Sequence, residues 1–288
     1  MVMQYSECPP PVYLSQHIES YWEIKCQAEE TEEGECLLPD CTFNVLLASE
    51  PFWIKKASES QWKQVSRGAN FLGQISSSIH IRPQGSQKIF GVRFKPFAFA
   101  HVIKEPIHLL NDQVVPLEDL FNFGAEQRDL LSGLIEEREE GKRLANLNQL
   151  MLYLLLDAQI VDQRLRAQIN YILDRKGAIQ VKSLFSEFGI SKVTLRKHFI
   201  EKIGLSPKKV SRIWRMNYFF HLKEKVADEK LTALCLMAGF YDQAHFNREF
   251  KSLFGTNPRR FFQQESYLLK ASQEINQRRF TNQYDPRL

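Results

Sequence analysis

The chain has 288 residues, 43% hydrophobic and 25% charged, a globular composition long enough for two domains. No uncharged apolar run approaches the ~18 residues a membrane helix needs, and the N-terminus MVMQYSECPPPVY lacks the basic flank and apolar core of a secretory signal. The net charge of +4 hides an asymmetry: residues 1–169 hold 16 Lys and Arg against 23 Asp and Glu, whereas residues 170–269 hold 18 against 9. A polyanionic partner is therefore expected for the C-terminal half. The five cysteines (8, 26, 36, 41 and 235) are odd in number and irregularly spaced, which fits a reducing cytoplasm better than a disulfide framework. Cys36 and Cys41 lack the paired C-x2-C spacing of a zinc site, so no metal is expected there.

Residues 1–120 alternate and turn like β structure, with short strand-like runs in YWEIKC, FNVLLA, FWIKKA, SIHIR and KIFGVRFKP. His80 stands alone in SIHIR, and His17, His101 and His108 are scattered, so the H-x-H spacing of a metal-binding barrel is not present. No Ser-His-Asp or Cys-His arrangement is readable locally, and no catalytic residue is assigned. Arg82 and Arg93 fall on predicted strands, either as an anion site inside a barrel or as surface arginines. From 125 to 173 the pattern turns helical. Leu144, Leu147, Met151, Leu154 and Leu155 form a stripe that either packs on the chain's own sheets or pairs with a second copy.

The C-terminal half uses one plan twice. Leu184, Gly189 and Ile190 match Leu234, Gly239 and Phe240 at an offset of 50, while Ser191, Leu195, Phe199, Gly204 and Pro207 match Asp242, Phe246, Phe250, Gly255 and Pro258 at 51. Each copy reads as helix, tight turn, helix. A glycine ends the first helix, Ser191 or Asp242 caps the second, and an i, i+4 apolar pair faces inward. Ser206-Pro207 and Asn257-Pro258 then open a further helix. At about 100° per residue, Val193 and Lys197 face outward in the first copy, flanked by Lys192 and Arg196. Ala244 and Arg248 take those places in the second, flanked by Gln243 and Asn247. Such side chains suit major-groove edges: Arg on guanine, Asn or Gln on adenine, Val or Ala on a thymine methyl. Lys208, Lys209, Arg259 and Arg260, just past the prolines, are placed for phosphates. Between the copies runs a helix-compatible stretch of roughly 20 residues, ~30 Å long, which suits two readers on adjacent turns of B-DNA. Its apolar positions are Ile213, Met216, Phe219, Phe220, Leu222 and Val226, widened by Trp214 and Tyr218. The last residues, polar and ending TNQYDPRL, are expected to be a frayed extension.

Residues 174 to 263 resemble the DNA-binding domain of AraC-type transcription regulators, which place two helix-turn-helix units in one chain. AGFYDQAHFNREFKSLFGTNPRRF fits the family's pattern at Gly239, Phe240, Asp242, Phe246, Arg248, Phe250, Lys251, Gly255 and Pro258. The first unit matches at Leu184, Gly189, Ser191, Leu195, Phe199, Gly204, Ser206 and Pro207, with Arg215 on the linking helix. The family usually has alanine where Phe185, Phe219 and Cys235 stand, which implies altered helix spacing. The stretches YWEI, LLPDCTFNVLL, FLGQ, GVRFKPFAFAHVI and VVPLEDLF resemble the barrel-like regulatory module found before some such domains, with Cys41 and Phe97 where glycine is expected.

The expected fold class is α+β: a barrel-like regulatory domain over 1–124, a helical linker over 125–173, an all-α double helix-turn-helix domain over 174–265, and a polar tail over 266–288. The expected function is sequence-specific DNA binding in transcription regulation, in the cytoplasm, without catalysis, cofactor or metal. Double-stranded DNA is the first partner. RNA polymerase, a small-molecule effector of unassigned binding residues and a second copy of the chain are further candidates, and a membrane is not. Two alternatives stay open: a barrel enzyme fused to a DNA-binding domain, and an interaction protein with a degenerate first DNA-reading unit.

Overall fold

Strand patterning in the N-terminal half decides which faces are covered. The computed structural model describes residues 2–27, 34–100, 102–103, 106–137, 139–156, 162–226, 229–263, 275 and 279–280. Among these, β1 (Val2–Cys8), β2 (Ile18–Gln27), β9 (Gln87–Phe94), β4 (Phe43–Ala48), β7 (Gly68–Leu72) and β10 (Val114–Pro116) form one antiparallel sheet in that order. A second antiparallel sheet runs β3 (Glu35–Leu37), β8 (Ile79–Pro83), β5 (Phe52–Lys56), β6 (Lys63–Val65). Among the described residues the two sheets do not hydrogen-bond into a closed barrel.

The larger sheet is covered on both faces, which explains why FNVLLA is buried at every position, Asn44 included. Phe43, Val45 and Leu47 of β4 pack with Leu131 and Leu134 of α2 (Ala125–Glu136) and with Leu147, Leu150 and Met151 of α3 (Glu140–Leu154). On the other face, Leu46 and Ala48 meet Phe52, Ile54, Ile79 and Ile81 of the smaller sheet. At β5 and β8 that sheet is buried mainly on one face, so these two strands alternate in burial. Gly91 is required where β9 passes Trp22, because a Cβ there would lie 2.0 Å from the indole ring.

The leucine stripe of α3 is therefore taken up within the chain. Leu147, Met151, Leu154 and Leu155 are buried and Leu144 half-buried against the larger sheet, so this face does not await a second copy.

Seven further helices follow α1 (Leu117–Leu120), α2 and α3 among the described residues: α4 (Gln163–Asp174), α5 (Lys182–Phe188), α6 (Lys192–Ile203), α7 (Pro207–Lys225), α8 (Leu231–Met237), α9 (Gln243–Phe254) and α10 (Pro258–Phe261). The linking helix α7 spans 19 residues, about 28 Å at 1.5 Å per residue. Its Ile213, Trp214, Met216, Phe219, Phe220 and Leu222 are buried, as the sequence pattern requires. Phe219, where the resemblance leads one to expect alanine, is fully buried with its ring 4.4 Å from that of Phe246. Cys235, likewise in place of alanine, is also fully buried.

The same apolar cluster takes in Cys36, Leu38, Cys41, Phe97 and Ala100 from the N-terminal half, so the two halves share a core. Cys41, where the resemblance leads one to expect glycine, adopts a left-handed φ of 62°, a conformation glycine takes more readily. The C-terminal extension, expected to fray, is anchored at its described residues. Ile275 and Arg279 are buried, and Phe280 packs against Trp214 at 5.3 Å.

Candidate nucleic-acid interface

Each reader helix begins with a left-handed glycine and a capped amide. Gly189 (φ 54°) ends α5, and Ser191 Oγ accepts from the Thr194 amide at 3.1 Å to open α6. Gly239 (φ 83°) follows α8, and Asp242 Oδ1 accepts from the His245 amide at 2.6 Å to open α9. The pairs Leu195/Phe199 and Phe246/Phe250 are fully buried, which turns the opposite faces to solvent.

On those faces the structure exposes Lys192, Val193, Arg196 and Lys197 of α6, and Ala244, Asn247 and Arg248 of α9. Val193 is 77% exposed, an apolar β-branched side chain left in water at a helix start. Lys197 lies 3.8 Å from Glu201, a surface ion pair of small energy. Gln243 is half-buried instead, and its Oε1 accepts from Thr232 Oγ1 at 2.9 Å, tying α9 to α8. Thr194 and His198 are also exposed on α6, although neither lies two residues from Leu195.

The residues placed for phosphates divide. Ser206 and Asn257 cap α7 and α10 as expected, accepting from the Lys209 amide at 3.2 Å and the Arg260 amide at 2.9 Å. Lys208, Arg259 and Arg260 are exposed. The Lys209 side chain is half-buried at the junction with the N-terminal half. There burial, with Arg212 nearby, lowers the pKa of its ammonium, while Asp112 and Cys41 act the other way.

A buried carboxylate missed in the sequence fixes the second reader on the linking helix. Glu249, 7% exposed, lies 3.1 Å from Arg212 Nε, 3.0 Å from Arg215 and 3.2 Å from His245 Nε2. Arg215 also donates to the Gly239 carbonyl at 3.4 Å and lies over the Phe240 ring at 4.9 Å, so it holds the turn as well.

The N-terminal half meets both readers at their C-terminal ends, where helix carbonyls lack intrahelical partners. Asn111 Nδ2 donates to the Gly204 carbonyl at 2.6 Å, just after α6, and Lys202 Nζ reaches back to the Ala100 carbonyl at 3.0 Å. In the last turn of α9, the Leu253 carbonyl accepts from the Ser78 amide at 2.8 Å. Asn217 of α7 donates to the Pro39 carbonyl at 3.0 Å.

Between the two sheets lies a narrow, largely apolar cavity of about 60 Å³, lined by Trp22, Leu46, Phe52, Ile81 and Ile89, with Asp40 and Arg93 at its polar edge. Arg93 thus sits inside the sheets, paired with Glu7 at 2.8 Å and Asp40 at 3.5 Å. Arg82 lies on the outer side, over the Trp62 ring at 4.6 Å. Among the described residues, no group of His, Cys, Asp and Glu is arranged to hold a metal, and no helix is long and apolar enough to cross a membrane.

Residues 184–264 match a family described as a helix-turn-helix domain, and residues 6–116 match a domain family of unknown function, DUF6597. No curated protein matches the chain. Among solved structures, apo ToxT from Vibrio cholerae is similar at 10% identity, covering 90% of this chain and 96% of that one, with a TM-score of 0.44. ToxT bound to an unsaturated fatty acid, from the same organism, is similar at 12% identity over 90% and 94%, with a TM-score of 0.42. The AraC-like transcriptional activator CuxR is similar at 14% identity over 82% and 85%, with a TM-score of 0.31. Those likenesses are distant, and the functional reading rests on the helix-turn-helix match together with the exposed reader faces.

Proposed function

We propose that this chain, whose residues 184–264 form an AraC-type helix-turn-helix domain, is a sequence-specific DNA-binding transcription regulator that inserts α6 and α9 into consecutive major-groove segments. The observation that carries this reading is the pair of capped helices whose apolar faces are buried and whose polar N-terminal faces are open, joined by a helix of about 28 Å. That length suits major-groove faces ~34 Å apart on one side of B-DNA.

In this reading Arg196, Lys197, Asn247 and Arg248 read base edges, Val193 and Ala244 meet thymine methyls, and Lys192 supports the first reader. Gln243 spends its amide oxygen on Thr232 and so supports α9 as well as facing the groove. Lys208, Arg259 and Arg260 neutralise phosphates. Lys209 contributes mainly at the junction between the halves. The N-terminal half exerts control, through an effector or a partner, because it holds both readers by their C-terminal ends. The reading implies a cytoplasmic protein that works with RNA polymerase, needs no catalytic step, and forms any homodimer through a surface other than the buried stripe of α3.

Affinity measured on a cognate site and on random DNA, across a salt series, tests the roles. Arg248→Ala and Lys197→Ala should each cost about 1–3 kcal/mol on the cognate site and much less on random DNA. Lys208→Ala should weaken both alike and flatten the salt slope by roughly one unit. Equal losses on both DNAs for Arg248→Ala would remove it from base reading.

A further inference from the structure

The described residues of the C-terminal extension touch three separate things, two in the N-terminal half and one on the linking helix. Ile275, 7% exposed, lines the cavity between the sheets, whose other lining residues all lie between Tyr5 and Arg93. Arg279, four residues on, grips both oxygens of Glu19, at 2.6 and 2.8 Å, and lies 3.4 Å from Asp40 Oδ2. Phe280 packs against Trp214, Tyr218 and His221 of the linking helix, with ring centroids 5.2 to 5.3 Å away.

Two features give this contact a chemistry. The first is charge. Asp40 lines the cavity and is shared between Arg279 and Arg93. Three carboxylates, Glu7, Glu19 and Asp40, thus meet two guanidiniums among the described residues. Withdrawing Arg279 would strip the buried Glu19 of that direct partner and leave it the field of Arg93, and a buried charge that loses its direct partner is strongly disfavoured. The place favours a cation. The second is volume. About 60 Å³ holds a few waters, far below the roughly 300–1,000 Å³ of small-molecule sites. A ligand must therefore displace a wall. Most walls belong to paired strands, whereas Ile275 belongs to the extension.

We propose that the C-terminal extension is a built-in occupant of an effector site: Ile275 plugs the cavity between the sheets, Arg279 fills the Glu19–Asp40 cation site beside it, and an amphipathic cation, with an apolar body and an ammonium or guanidinium head, competes for both. Its entry frees Phe280 from α7, the helix that carries both readers. This deepens the regulator reading and rests on it for its purpose, but the competition itself is a property of the N-terminal half.

Hydrogen exchange by mass spectrometry on the full chain, without DNA, tests it with octylguanidinium as the probe and octanoate as the head-group control. Octylguanidinium is expected to raise exchange of the peptide covering 275–280 by about tenfold or more, and Arg279→Ala to do so without ligand. Arg279→Ala should also bind octylguanidinium roughly tenfold more tightly than the unmodified chain, since the internal competitor is gone. Octanoate should change nothing. Unchanged protection in Arg279→Ala, no release by octylguanidinium, or equal release by octanoate would each overturn the proposal. If Arg279→Ala does not fold, Arg279→Lys keeps the charge without the two-pronged grip. It should raise exchange several-fold, and protection equal to the unmodified chain would again overturn the proposal. Failure of the unmodified chain to prefer any DNA sequence would sink the regulator reading and leave the exchange result standing.

Discussion

Glu249→Gln is the substitution whose effect follows most directly from the geometry. The change keeps the side chain's shape and removes its charge. Arg212 and Arg215, with side chains 21% and 11% exposed, then lose the carboxylate they share. Removing one partner from a buried ion pair costs about 3–5 kcal/mol, because the other charge stays desolvated. Water reaches Arg212 in part and recovers some of that, so the expected loss is about 2–3 kcal/mol. At roughly 2–4 °C per kcal/mol for a chain of this size, the melting temperature should fall by roughly 4–12 °C. Calorimetry measures it. A double-mutant cycle with Arg215→Ala should show coupling of about 1 kcal/mol or more, because the two side chains touch at 3.0 Å. DNA footprints should lose protection over the second reader's segment before the first, because Glu249 lies on α9. A melting shift under about 2 °C with no coupling would refute the view that this carboxylate fixes α9 on α7.

Acid should weaken the fold through His17, which is 4% exposed. Burial, with Lys95 and Arg166 nearby, pushes its pKa down to about 4. The unfolded chain takes this proton near 6.5 and the folded chain does not. The contribution is therefore intact above pH 6.5 and is lost as pH falls toward 4, up to about 3 kcal/mol in all. Denaturant titrations of His17→Gln between pH 4.5 and 7 should show a flatter limb than the unmodified chain, and an unchanged slope would remove His17 as its source. Asn111→Ala leaves the Gly204 carbonyl without the 2.6 Å donor that joins it to the N-terminal half. The expected cost is about 1–2 kcal/mol, with exchange rising at the end of α6 and not at the end of α9.

How much of this was legible depends on the range of each signal. The reader helices are set by neighbours in sequence: a left-handed glycine, a Ser or Asp cap and an i, i+4 apolar pair. Those features appear in the residues and again in the structure. Lys208 and Lys209 are adjacent and chemically identical, yet one is exposed and the other faces Asp112 and Cys41. Nothing local separates them, because the second depends on where a distant part of the chain docks. Glu249 reads as one more surface charge between Arg248 and Phe250 until α7 brings Arg212 and Arg215 to it. The C-terminal extension reads as polar and frayed for the same reason. Arg279 finds its carboxylate 260 residues earlier in the chain, a separation over which composition and periodicity carry no information.

The placement of the contacts between the halves suits control better than it suits blockade. DNA would approach the N-terminal ends of α6 and α9, and the N-terminal half holds the C-terminal ends. Each reader has 12 residues, about 18 Å, and is held in the core from its fourth residue to its last, by Leu195, Phe199 and Ile203 or by Phe246, Phe250 and Phe254. A helix held along its length moves as a rigid rod. Shifting its C-terminal end by about 1 Å shifts the other end by a similar amount, which is enough to spoil hydrogen bonds confined to 2.7–3.2 Å. A regulatory half that shifts slightly on its sheets can therefore change base reading without covering the bases. Because Asn111 and Ser78 act on different readers, the two can also be tuned separately.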